Sequence, residues 1–253
     1  MSRTLSMQGL RGGVGCTTLL AGLGHALIRL DQRVLLVDMS PENLLGLHFN
    51  LPADEALGWA RAELDGQDWR DCAYTPMKGL ALLPYGRVEH AGVLDIERRL
   101  APWPGIFRDQ SQAYVEDYDW LLFDLPHGFP AHAAAVNGEG GCDLMLKLLH
   151  ADPACHVRLE RMEAMATGTR LLVNRYDPVQ PLQRNLLEVW MHERGSDLVP
   201  IHVHEDAAVP EALAMKRPIG LHAADSPVSV DLASMALWCQ AEAARLIAER
   251  DVP

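Results

Sequence analysis

Short apolar runs alternate with amphipathic stretches along the whole chain, a pattern that predicts a mostly parallel sheet with helices on both faces. Seven runs read as buried strands: TLSMQGL at 4–10, RVLLVDM at 33–39, LALLPYG at 80–86, DWLLFDLP at 119–126, CDLMLKLLHA at 142–151, RLLVNRY at 170–176 and LVPIHVH at 198–204. Between them, 17–31, 88–100, 152–166, 180–194 and 206–215 carry helical spacing, and 228–250 predicts a long closing helix. The segments 126–141 and 220–228 read as the most mobile loops. There is no repeat, no low-complexity tract and no Gly/Ser linker, so one α/β domain over 1–253 is expected.

The most specific local signal is GLRGGVGCTT at 9–18, which leaves a strand-like run and opens a helix. Gly12, Gly13 and Gly15 allow backbone N–H groups around Val14 to converge on phosphate oxygens, and the helix N-terminus adds partial positive charge. Thr17 occupies the position of a direct Mg²⁺ ligand, followed by Thr18. A tight strand-to-helix turn would explain three glycines alone; two threonines and two downstream acidic strand ends favour a nucleotide. The lysine of the usual G-K-[ST] ending is absent, and Cys16 stands in its place. A helix N-terminus lowers the pKa of such a thiol and a bound polyphosphate raises it, so its reactivity is expected to follow occupancy. A small neutral filler is the plainer role for Cys16.

The acidic strand ends are Asp38, in RVLLVDMSPEN, and Asp124, in DWLLFDLP. Each sits at the carboxyl edge of its strand, where ligands of such sheets bind, and each suits a water of the Mg²⁺ shell. Asn174, closing RLLVN, can face an adenine edge or stabilise the turn before Asp177 and Pro178, with nothing in the sequence to separate the two. Arg158 falls in the first turns of the helix after the fifth run. It suits a dimer interface, the partner's phosphates or plain solvation. His202 and His204 alternate on a predicted strand without a third ligand, which favours packing or hydrogen bonding over zinc.

Charge narrows the partners. With 22 Lys+Arg against 34 Asp+Glu the net charge is −12, which disfavours non-specific binding to nucleic acid and to anionic lipid. Five cysteines without CxxC spacing fit a reducing cytoplasm and oppose a disulfide framework or a closed zinc site. Neither a signal-peptide run nor an apolar stretch of about 18 residues occurs, so membrane contact is expected only through partners.

On these residues, together with PENLLGLHFNLP at 41–52, GWARAELDGQDWRD at 58–71, LLPYG at 82–86, CHVRLE at 155–160 and EDAAVPEALAMKRPIG at 205–220, the chain resembles the BcsQ family of bacterial cellulose-biosynthesis proteins. That family lies within the ParA/MinD (SIMIBI) class of deviant Walker A P-loop NTPases. The resemblance implies a homodimer sandwiching ATP and Mg²⁺, with Arg11 at the position whose side chain reaches the partner's nucleotide. Arginine there can make forked contacts that lysine cannot. It also implies association with BcsR, BcsE and the cellulose synthase BcsA, recruitment to that inner-membrane complex, and polar placement. ParA/MinD relatives carry a second aspartate that positions the attacking water, and here it is Ser40, so slow or absent hydrolysis is expected and no residue is assigned as catalytic. The alternative is a cycling ATPase of the ParA/MinD kind that positions cargo or secretion machinery at the pole. MinD also carries a basic amphipathic tail, whereas this sequence ends RLIAERDVP. An iron–sulfur carrier of the same fold would need two converging cysteines, and Cys142 and Cys155 flank one predicted strand at opposite ends.

Overall fold

The computed structural model describes residues 2–52, 54–102, 105, 117–138, 142–162 and 165–250. Seven strands form one sheet: β1 (Arg3–Gly9), β2 (Val34–Asp38), β3 (Tyr74–Met77), β4 (Leu80–Leu83), β5 (Trp120–Leu125), β6 (Leu144–His150) and β7 (Thr169–Asn174). Their spatial order is β3-β4-β2-β5-β1-β6-β7, and all neighbours are parallel except the β3–β4 pair. Every residue of β2 and β5 is buried, as expected for strands covered on both faces. β3, unread in the sequence, is an edge strand. Pro76 lies where its register is irregular, a place where a missing N–H is tolerated.

Two apolar layers sandwich the sheet. One packs α1 (Cys16–Ile28) and the long α9 (Pro227–Arg250) against Leu5, Met7, Leu36, Leu122 and Leu146. Gly22 of α1 permits close approach of α9, because a Cβ there would lie 2.5 Å from Leu232 Cδ1. The other layer holds α2 (Trp59–Asp65), α3 (His90–Leu100) and α4 (Pro130–Asn137) over Val37, Leu83 and Phe123. Its centre is polar: Tyr85 Oη meets His132 Nε2 at 3.1 Å, His132 Nδ1 meets Glu97 Oε2, and the Trp59 indole N–H donates to the Asp38 carbonyl at 2.8 Å. Burying side chains such as Trp59 and Trp120 contributes about 2–3 kcal/mol each.

Three sequence expectations are corrected. LVPIHVH is not a continuous strand: it has isolated bridges at Leu198 and His204, and because the Val199 and Val203 N–H groups donate to the Leu171 and Val173 carbonyls, the register against β7 is broken between them. The expected loop at 126–141 contains α4, which starts at Pro130, a residue suited to a first helical position; 139–141 lie outside the described residues. The helix expected over 152–166 is α5 (Pro153–Glu160), capped by Asp152, whose carboxylate accepts from the Cys155 N–H at 2.8 Å; 163–164 lie outside the described residues. Among the described residues the remaining α-helices are α6 (Pro181–Arg194), α7 (Ala208–Ala214) and the short α8 (Ile219–His222), the last overlapping the segment expected as a loop at 220–228.

Topology fixes the site. From β1 the chain crosses to β2 on one side, and from β5 it crosses over β1 to β6 on the other. The carboxyl end of β1 therefore opens at a reversal of strand order, the place where open α/β sheets bind ligands.

Candidate nucleotide site

Residues 10–15 turn over the end of β1 and enter α1. Gly13 (φ 75°) and Gly15 (φ 92°) both adopt left-handed backbone that a side chain would strain, and Gly12 and Gly13 are exposed at the mouth. Val14 is buried, and its carbonyl accepts from Asn174 Nδ2 at 2.8 Å. Asn174 thus ties the end of β7 to the loop. A Cβ at Gly15 would lie 2.7 Å from that amide nitrogen.

On the β2/β5 side, Thr17 Oγ1 donates to Asp124 Oδ2 at 2.6 Å, and Asp38 pairs in register with Asp124 on the adjacent strand. The Asp38 carboxylate accepts from the Ser40 N–H at 2.9 Å and the Leu45 N–H at 3.0 Å. Burial pushes Asp38 up to about 7 despite those two donors. Burial also raises Asp124 well above the ordinary carboxylate range, with the neighbouring Asp38 adding to it and the Thr17 hydroxyl opposing. Two stacked acids in a dry corner are a poor arrangement alone and a good one around a divalent cation.

On the β6 side, Arg11 reaches the residues at the end of that strand. Its Nη2 donates to Asp152 Oδ2 at 2.5 Å and lies 3.2 Å from His150 Nδ1, while Nη1 donates to the Gly12 carbonyl at 3.1 Å. Burial opposes the Asp152 charge, but the Arg11 guanidinium and the Cys155 N–H outweigh it and hold Asp152 below its ordinary value. Arg11 Nε and His150 Nε2 are buried without a hydrogen-bond partner among the described residues. A ligand with acceptor oxygens fits those orphaned atoms and the glycine cradle.

The structure brings Arg11 through Thr18, Asp38, Asp124 and Asn174 to one edge of the sheet. Thr18, Gly13, Gly15 and Asn174 border an open cavity of about 280 Å³, floored by Leu19, Val209 and Leu213 and edged by the Arg175–Glu205 ion pair at 2.6 Å. Arg158 is different: it lies exposed on α5, with no ion pair or hydrogen bond among the described residues. His204 Nδ1 meets Asp231 Oδ2 at 2.8 Å, and His202 packs edge-on against Tyr176. At Cys16, burial and then Asp124 push the thiol well above its ordinary pKa, more than Lys147 lowers it. Sequence reasoning missed Lys147, His150 and Asp152. The spacing of Asp152 before Pro153 and three residues ahead of Cys155 was a readable capping signal.

With this geometry in place, comparison with known families is decisive. The family model for the cellulose biosynthesis protein BcsQ matches residues 1–240.

The chain belongs to the BcsQ family.

Among its relatives, the cellulose biosynthesis protein BcsQ of Escherichia coli K12 is 35% identical over 244 residues, covering 93% of each chain. BcsQ of Salmonella typhimurium LT2 is 37% identical over 242 residues, again covering 93% of each. The fold of this BcsQ-family chain is that of MinD/ParA P-loop ATPases: the septum site-determining protein MinD of Pyrococcus horikoshii, solved with Mg-ADP, superposes with a TM-score of 0.70 at 20% identity, covering 93% of this chain and 95% of MinD.

Proposed function

We propose that two copies of this chain sandwich ATP and Mg²⁺ and act as a nucleotide-dependent assembly or regulatory factor of a bacterial cellulose secretion system, with slow or absent hydrolysis. The observation that carries this reading is the Thr17–Asp124 contact at 2.6 Å beneath a glycine loop with two left-handed residues. Mg²⁺, when bound, supplies charge neutralisation for the phosphates. The Thr17 hydroxyl would hold it directly, with Asp38 and Asp124 reaching it through water. Loop N–H groups at Gly12–Thr18 orient the phosphates, and the cavity beside Thr18 and Asn174 receives the base.

Slow hydrolysis rests on Ser40, which brings a hydroxyl to the end of β2 where a water-activating carboxylate would stand. Its Oγ accepts from the Glu42 N–H at 3.4 Å. Losing general-base help costs typically ~10²–10⁴-fold in rate. The dimer reading is supported by Arg11, a loop cation able to exchange Asp152 for a partner's phosphates, and by Arg158 and Val157, both exposed on α5. The role in cellulose biosynthesis follows the relatives' name; BcsR, BcsE and BcsA as partners and recruitment to the inner-membrane synthase are proposed on the family resemblance. No helix among the described residues is long and apolar enough to cross a membrane.

The test is single-turnover hydrolysis of ATP in the wild type and in Ser40→Asp. The proposal expects retained ATP in the wild type and faster conversion in the variant. Rapid multiple turnover by the wild type would favour the cycling ATPase and contradict the holding role.

A further inference from the structure

Lys147 is a lysine where the strand pattern calls for an apolar residue. It sits in the middle of β6 between Leu146 and Leu148, both buried, and is itself half-buried. No carboxylate forms an ion pair with it among the described residues. Its one hydrogen-bonded partner there is the neutral Gln8 side chain, whose Oε1 accepts from Nζ. A half-buried ammonium without a counter-charge is costly, and proteins retain such groups where an anion completes them.

Its position says which anion. Lys147 pairs in register with Gln8, the residue before Gly9, where β1 ends and the phosphate loop begins. Gln8 Nε2 donates to the Pro126 carbonyl at 3.1 Å, just past the end of β5 and two residues beyond Asp124. One amide therefore holds Lys147 across the three strands that carry the loop. Cys16 Sγ lies 3.5 Å from where a Gly9 Cβ would stand, on the α1 side of the sheet, while Lys147, in register with Gln8, leaves the opposite side, so the two residues flank the same carboxyl end of β1. Burial disfavours the charged form of Lys147, which leaves the ammonium in need of an anion.

We propose that Lys147 supplies from β6 the phosphate-neutralising charge that residue 16 of the loop lacks. The usual lysine of a P-loop reaches the terminal phosphates from position 16 itself; here a neutral cysteine stands at that position, and a neighbouring strand provides the cation. Asp124 lies on the far side of β1 from β6, so the metal ligands and this cation would address the polyphosphate from opposite flanks. The assignment rests on the nucleotide-binding reading above and deepens it.

The test is Mg-ATP affinity, by calorimetry on the full chain, for the wild type, Lys147→Met, Cys16→Lys and the double variant, with thermal melts of each. Losing a charged hydrogen-bonding partner of phosphate should weaken binding at least about tenfold in Lys147→Met without lowering its melting temperature. The double variant should recover most of that loss, because the cation returns by the usual route. Cys16→Lys alone should gain little, since it places two ammonium groups together. Lys147→Gln, which keeps a polar contact to Gln8, serves if the methionine variant fails to fold, with the same expected loss. Affinity within twofold of the wild type in a folded Lys147 variant, or a loss that Cys16→Lys does not restore, overturns the assignment. A wild type that binds no Mg-ATP would instead overturn the nucleotide reading itself.

Discussion

Two corners flank the phosphate loop, and they differ in what holds their charges. At the ends of β2 and β5, Asp38 and Asp124 are fully enclosed, satisfied by backbone N–H groups and a threonine hydroxyl, and pushed toward protonation by burial. At the end of β6, Arg11 and Asp152 are both about 30% exposed and already paired with each other. The acidic corner is preformed and costs stability until a cation enters; the basic corner is close to neutral in energy and free to exchange partners. The proposed site between two copies would be well served by that division, with the acidic residues fixed inside each chain and the Arg11 cation left able to move.

The largest effect that would sharpen this contrast is the pH dependence of Asp38. Its folded pKa of about 7 lies above its unfolded value, so its contribution is present at low pH and lost as pH rises through 7. Between pH 5 and pH 8 the ligand-free wild type should lose about 2–3 kcal/mol through this group, and Asp38→Asn should remove that slope from denaturant unfolding curves. An unchanged slope in the variant would show that the corner is not strained.

A slightly smaller effect runs the other way at His48, in the turn Leu45–Phe49 whose first N–H caps Asp38. Burial depresses His48 to about 4, so its contribution is present above about 6.5 and lost as pH falls toward 4. At pH 5 this costs about 2 kcal/mol, which offsets much of the Asp38 gain; His48→Gln should unmask that gain as rising stability on acidification. A variant that still tracks the wild-type profile would break this account of the acidic corner.

The smallest folding effect belongs to the basic corner. Arg11→Ala should change unfolding stability by less than ~1 kcal/mol, as expected for a partly solvated pair. Its consequence should fall on self-association in the presence of Mg-ATP, read by sedimentation. A melting temperature that collapses in Arg11→Ala would mean that the pair is structural and not exchangeable.

What the sequence disclosed and what it withheld follow the range of the interactions. The loop, Thr17 and the two strand-end aspartates were legible because each signal is local: a glycine pattern, a run of apolar residues, an acid where the run ends. The parallel sheet was legible for the same reason. Lys147 was not, because its meaning depends on Gln8, which is 139 residues away in sequence and beside it only once β1 and β6 pair. The Glu97–His132–Tyr85 chain likewise draws on three separate elements. LVPIHVH misled because an apolar run is visible in the sequence, while its broken register, with Val199 and Val203 bonded to Leu171 and Val173, exists only beside β7. Asn174 combines long and short range: its place at a strand end was readable, its bond to the Val14 carbonyl was not.

The central claim is that ATP with Mg²⁺ joins two copies through this edge of the sheet. Light-scattering mass of the purified chain with and without Mg-ATP, followed by identification of the nucleotide released on denaturation, tests it most directly. The account predicts a shift from one chain mass to two, with intact ATP recovered at one per chain. A particle that stays at one chain mass and releases no nucleotide would contradict it.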